Sequence, residues 1–277
     1  MHPSNSTAEN SFHSPVALTI AGSDASGGAG IQADLRHFQH FGVFGTTVIT
    51  AITAQNGAGV QAVELLSAEM VRAQLQSVLT GMPVAAAKTG MLGNSDIIAA
   101  VAKSWQQANA KRQQRGLAPI PLVLDPVMVA TSGASLLQQD ATQCLLEQLL
   151  PQASLLTPNV PELAALTGMP VDNAHEKRRA AEALMARGCP AVLLKDGHGK
   201  NDTIDDVLLS TEGEFHFRFP RLKGEFHGTG CATAASICAG LAHGKALASA
   251  VEQALDHLHQ RLPLARASLC SELRYLP

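Results

Sequence analysis

One thiol of this chain stands just ahead of an alanine-rich stretch, in Gly228-Thr229-Gly230-Cys231. If a helix begins there, its first N–H groups have no partner inside the helix and form a seat for an anion. The same dipole end stabilises a thiolate. One short segment therefore offers a proton acceptor and a cradle for transferred negative charge. The plainer alternative is a Gly-Thr helix cap with Cys231 as a small core residue, and the spacing leaves both open.

Three more segments carry candidate chemistry. Gly22–Gly30 (GSDASGGAG) is glycine-rich and lets the backbone turn with positive φ and approach a ligand closely. It matches a dinucleotide fingerprint only loosely and contains no phosphate-loop Gly-Lys-Ser/Thr ending, so a tight turn is the competing reading. In Thr157–Glu162 (TPNVPE), Asn159 and Glu162 stand three residues apart across a helix start and can face one ligand. Such oxygen donors suit a water-mediated Mg²⁺, while a simple capping box uses the same two residues. Lys195, in Lys195-Asp196-Gly197-His198, lies at a strand end and could touch phosphate or simply be a solvated charge.

The elements that must position these residues alternate. Strands are expected at Val16–Ala21, Thr46–Thr53, Val84–Lys88, Leu122–Asp125, Ser154–Thr157 and Ala191–Lys195, and helices over 30–41, 67–80, 94–110, 137–150, 161–167 and 176–187. Lys111–Gly116 reads as a flexible connector. Asp206–Ser210 and Glu214–Phe219 read as an antiparallel hairpin, and two helices close the chain over 229–243 and 246–262. Strand–helix alternation of this kind predicts an α/β fold: a central, mostly parallel sheet with helices on both faces. In such sheets ligands bind beyond the carboxyl ends of the strands, which is where all four segments fall. Residues 1–15 read as a flexible polar tail and 16–277 as one domain.

Composition narrows the function. Of 277 residues, 46% are hydrophobic and only 4% aromatic, so the core is built from Ala, Leu and Val and an aromatic stacking surface for nucleic acid is not expected. A net charge of −3 provides no broad positive field for a polyanion. No apolar run is long enough to span a membrane. The five cysteines include no Cys-x-x-Cys pair and are expected as free thiols in the cytoplasm.

Taken together, Gly22–Leu35, Val48–Asn56, Lys88–Gly93, Leu124–Val127, Thr157–Glu162, Lys195–His198 and His227–Cys231 resemble the ribokinase-like superfamily. Within it the chain is most similar to the hydroxymethylpyrimidine/phosphomethylpyrimidine kinases of thiamine biosynthesis. That resemblance implies ATP as co-substrate, Mg²⁺, a homodimer, and phosphorylation of the pyrimidine and then of its monophosphate. It implies Cys231 as catalytic base, with the amides of Gly228, Thr229 and Gly230 as the anion hole. It implies Gly22, Asp34, Gln55, Met91 and Val127 around the pyrimidine, and Asn159, Glu162 and Lys195 on the nucleotide side, with Glu162 reaching the metal through water. Asp196, Thr89 and Ala25 depart from the family pattern; Asp196 could screen Lys195. Asp24–Gly28 or 129–133 would serve as a lid. Pyridoxal kinase of the same superfamily is the nearest rival, and a pyrimidine-binding sensor without turnover the rival from another class.

Overall fold

The computed structural model describes residues 13–128, 139–197 and 202–277; the expected tail (through residue 12), the candidate lid at 129–133 and His198 lie outside these. Strand β1 (Val16–Ala21) is buried throughout, as a strand covered on both faces must be. Helix α1 (Gly30–His40) follows, then β2 (Phe44–Ile49), β3 (Ala51–Asn56), β4 (Gly59–Leu65) and α2 (Ala68–Gly81), which Ser67 caps through its hydroxyl. Next come β5 (Val84–Thr89), α3 (Ser95–Gln114), capped by Asn94, and β6 (Leu122–Leu124). Helix α4 (Gln139–Cys144) runs on into a wide π turn, followed by β7 (Leu155–Leu156), α5 (Val160–Thr167), α6 (Ala174–Met185) and β8 (Ala191–Leu194). The hairpin β9 (Thr203–Ser210) and β10 (Gly213–Pro220) precedes β11 (Phe226–His227), α7 (Thr229–Ala242), α8 (Leu247–Arg261), β12 (Arg266–Ala267) and β13 (Arg274–Tyr275).

Eight strands form one sheet in the order β10-β9-β8-β7-β6-β5-β1-β2; six are parallel, and β9 and β10 join antiparallel at one edge. Side chains alternate between the two faces. Val16, Leu18 and Ile20 pack with α2, α3, α5 and α6, whereas Ala17 packs with the α7–α8 side. From β1 the chain steps outward to β2 and then back across to β5. The strand order therefore reverses between β1 and β5, and a crevice is expected beyond their carboxyl ends.

Two local expectations change, and a small sheet is added. The single strand over Thr46–Thr53 is broken at Thr50, whose N–H donates to Ala21 and whose hydroxyl donates to the Met91 carbonyl at 2.6 Å. Beyond the break, β3 and β4 pair as a separate hairpin around Asn56-Gly57, a dipeptide that favours tight turns. The connector at Lys111–Gly116 is helical to Gln114, because Lys, Arg and Gln are good helix formers; the turn comes at Gly116, with φ +70°. Finally, β11, β13 and β12 form a small three-stranded sheet that ties the chain's end to His227.

Candidate active site

The region beyond the carboxyl ends of β1, β5, β6, β7 and β8 gathers their following residues beside the start of α7. Helix α7 begins at Gly228, which has φ +78° and lies so close to the Gly28 carbonyl that a Cβ would overlap it. Gly228 is its N-cap, and no side chain caps the helix. Its first turn closes with the Ala232 N–H on the Gly228 carbonyl, which leaves the amides of Thr229, Gly230 and Cys231 at the open end.

Cys231 is half-buried, against the Gly30 amide and the charge of Lys88. Burial pushes its thiol up to about 11; Lys88 and the Gly30 amide pull the other way, and Asp34 and Asp125 add to the rise. Desolvation thus opposes the thiolate that the helix dipole would favour. In this state desolvation prevails and the resting group is a thiol.

Lys195 is not a solvated charge. Its Nζ donates to Asp125 Oδ1 at 3.1 Å, as does the Thr157 hydroxyl. A Cβ added to Gly230 would stand 3.4 Å from that Nζ, so the ammonium lies in front of the open helix end. Burial disfavours its charge, but Asp125 and Glu162 outweigh this and hold it protonated. Asp196 does not screen it: its Oδ1 accepts from Lys177 at 2.8 Å.

Asn159 and Glu162 form a complete capping box at 2.8 Å in both directions, so the local alternative is realised. It does not exhaust Glu162. Burial first and Asp125 next raise this carboxyl to about 7, against the pull of Lys195. Asp125, which composition and spacing left without a role, thus makes a second carboxylate beside Glu162. The pair and the lysine fit an Mg²⁺ that takes its remaining ligands from water and phosphate. Among the described residues no cluster of three or more His, Cys, Asp or Glu side chains forms a metal cage.

On the other side of the crevice, a Cβ on Gly22 would lie 3.3 Å from Met91 Sδ, so these two predicted residues are neighbours. Gln55 reaches His227, Nε2 to Nε2, at 3.3 Å. Val127 sits in a turn closed on the Asp125 carbonyl at 2.9 Å. Asp34 departs from expectation. It is fully buried, with Thr19 Oγ1 at 2.6 Å and Lys88 Nζ at 3.0 Å, so both oxygens are engaged inside the protein. It stands against Lys88 rather than as a free group lining the crevice. Lys88 follows Ala86 on the face of β5 turned to α1 and α7, which carries its ammonium toward Asp34 and Cys231. Burial disfavours that ammonium, but Asp34 foremost, with Asp125, keeps it charged. Sequence reasoning missed Lys88 because a lysine inside a strand pattern carries no spacing signal of its own.

The loop Asp24–Gly28 is anchored. Asp24 accepts from Ser26 N and Ala29 N and pairs with His227 at 2.8 Å, while its own amide donates to Gln32. Opening it as a lid would break these bonds together.

A thiol, two lysines, two carboxylates and an open helix end around one crevice are the parts of a phosphoryl-transfer site. Comparison with known proteins agrees: residues 24–269 match the family model described as phosphomethylpyrimidine kinase. The chain belongs to this family. It is 46% identical over 254 residues to the hydroxymethylpyrimidine/phosphomethylpyrimidine kinase of Rhizobium meliloti, covering 90% of this chain and 91% of that one. The crystal structure of phosphomethylpyrimidine kinase from Clostridium difficile superposes with a TM-score of 0.76 at 36% identity, covering 89% of this chain and 98% of that one. The pyridoxal kinase of Staphylococcus aureus in complex with pyridoxal superposes with a TM-score of 0.84 at 28% identity, covering 96% and 94%. Membership of a kinase family implies ATP as co-substrate. Among the described residues no helix is long and apolar enough to cross a membrane.

Proposed function

We propose that the protein transfers the γ-phosphoryl group of ATP to the hydroxymethyl oxygen of 4-amino-5-hydroxymethyl-2-methylpyrimidine, and then phosphorylates the resulting monophosphate. The observation that carries this reading is the meeting, at the start of α7, of the Cys231 thiol and the Lys195 ammonium with the Gly22–Met91–Gln55 wall. The alcohol oxygen attacks the γ-phosphorus, the bond to the β–γ bridging oxygen breaks, ADP departs, and the alcohol proton goes to Cys231. The base must be the thiolate, so the resting thiol first loses its own proton. Lys88, the Gly30 amide and the open helix end favour that ionisation. The amides of Gly228 to Cys231 and Lys195 face the transferred group and offset its charge. Met91 supplies an adaptable apolar contact to the ring. Mg²⁺, held through water by Glu162 and Asp125, would neutralise the phosphates.

Pyridoxal is the second reading, favoured by the superposition on the pyridoxal kinase. Side-by-side kcat/KM values decide between the two, since specificity is a difference in transition-state binding. A coupled ADP-release assay should show preference for the pyrimidine; preference for pyridoxal overturns the substrate assignment. Release of ADP on addition of the pyrimidine monophosphate tests the second step, and binding without turnover would restore the sensor reading.

We place the protein in the cytoplasm, where ATP is supplied and its five cysteines stay reduced. We further assign it as a homodimer without nucleic-acid partners. Phe44, Ile52, Val63 and Met70, on β2, the β3–β4 hairpin and α2, are exposed apolar groups of the kind an interface covers. Sedimentation should give twice the 28.9 kDa chain mass.

A further inference from the structure

His227 stands where the two halves of the crevice meet, and the mechanism above makes no use of its side chain. It is 3% exposed. Its Nε2 faces two groups at once: Asp24 Oδ2 at 2.8 Å and the Gln55 amide nitrogen at 3.3 Å. The ring cannot swing aside. Tyr275 packs against it edge-on with centroids 5.2 Å apart, and a Cβ on Gly28 would overlap it. Its backbone is paired with Tyr275 in the small C-terminal sheet.

Hydrogen accounting at Nε2 sets the direction of the Gln55 amide. A carboxylate only accepts. Burial would raise the Asp24 carboxyl, but hydrogen bonds from His227, Ser26 and Ala29 carry it below its ordinary value, so it is ionised. The hydrogen at this contact therefore belongs to Nε2. An N–H cannot also accept from an amide NH₂, so Gln55 turns its carbonyl oxygen toward His227, where it shares the one Nε2 hydrogen with Asp24. The oxygen and nitrogen of an amide are assigned from such a network. With the oxygen engaged there, the NH₂ end remains for the ligand.

We infer that His227, oriented by Asp24, fixes Gln55 as a hydrogen-bond donor toward the substrate, so that the site selects rings carrying an unprotonated acceptor nitrogen on that edge. The inference rests on the pyrimidine reading of the same crevice. His227 and Asp24 are positioning residues, since they act through Gln55.

The test compares hydroxymethylpyrimidine with deaza analogues in which one ring nitrogen is replaced by C–H. The wild-type protein should favour the parent over the analogue lacking the contacted nitrogen by about tenfold or more in kcat/KM, the worth of one lost hydrogen bond. His227→Phe keeps a ring against Tyr275 but removes the N–H. It should raise the pyrimidine KM about tenfold and shrink the discrimination to about threefold or less, with the KM for ATP unchanged. His227→Gln, which returns an N–H donor, should recover both. If His227→Phe does not fold, Asp24→Ala carries the test, because it removes the acceptor that keeps the hydrogen on Nε2. Full discrimination in a folded His227→Phe or Asp24→Ala variant overturns this inference alone. A wild-type protein inert toward the pyrimidine sinks the substrate reading and this inference with it.

Discussion

The acidity of Cys231 gives a prediction with a fixed sign. Its thiol is pushed up to about 11, foremost by burial. At pH 7 the gap of about four pK units leaves roughly one thiolate in ten thousand molecules, a cost of about 5 kcal/mol. If the thiolate is the base, kcat/KM for the pyrimidine, which reports the free enzyme, must climb about tenfold per pH unit between about pH 7 and 9. Cys231→Ala should lose roughly 100-fold or more at neutral pH and give a flat profile. The assay is ADP release at subsaturating pyrimidine and saturating Mg·ATP, with single turnovers to expose the chemical step. A flat wild-type profile over that range refutes the thiolate as base. Near wild-type turnover by Cys231→Ala removes the residue from the chemistry altogether.

Lys88→Met strands the Asp34 carboxylate in the core and should lower unfolding free energy by about 3–5 kcal/mol in denaturant titrations, whereas Lys88→Met/Asp34→Asn should recover most of it. Glu162→Gln keeps the capping geometry but removes the charge; its melting temperature should stay near wild type while the Mg²⁺ concentration for half-maximal rate rises several-fold, about 1 kcal/mol of weakened binding. Gly228→Ala should abolish turnover because its Cβ meets the Gly28 carbonyl, whereas Gly42→Ala, at φ +68° with open space around it, should cost only about 1 kcal/mol and leave activity intact. Burial, foremost, takes the pKa of His37 down to about 3 and that of His257 to about 4, so below about pH 6.5 the unfolded chain binds protons that the folded chain does not. Stability should therefore fall as pH drops from about 6.5 toward 4, with a slope of up to about 1.4 kcal/mol per pH unit for each histidine, and thermal melts of His37→Asn should show a shallower fall.

The parallel sheet was legible because buried strands such as VALTIA and LVL read as unbroken apolar runs between helical periods, and the helix starts at Ser67, Asn94 and Asn159 were written in their capping side chains. Gly22, Met91, Gln55, Lys195 and Cys231 were singled out from sequence, and the structure brings them to one crevice. What escaped was pairing across long separations. Nothing local in LDPV says that Asp125 accepts from a lysine 70 residues later, and nothing near Asp24 says that its partner is His227. The β3–β4 hairpin did have a local signal in Asn56-Gly57, but the β-branched run before it hid the break at Thr50. The acidity of Cys231 escaped for another reason. A dipole argument sees the helix end, whereas desolvation depends on what else packs there.

The composition of α7 explains why the site forms at the switch point at all. Its buried residues are almost all small, and Gly240 lies so near α8 that a Cβ would stand 2.8 Å from the Ala250 Cβ. Small side chains on both helices let α7 settle between α8, α1 and the sheet rather than ride above them. Only then does its first turn reach the ends of β1 and β5, with Gly228 against Gly28 and Gly230 beside Lys195. A bulkier helix would keep its Gly-Thr-Gly-Cys start yet lift the open amides away from the groups that turn them into an anion site. In the proposed mechanism the alanine-rich stretch thus matters to the geometry as much as the thiol it carries.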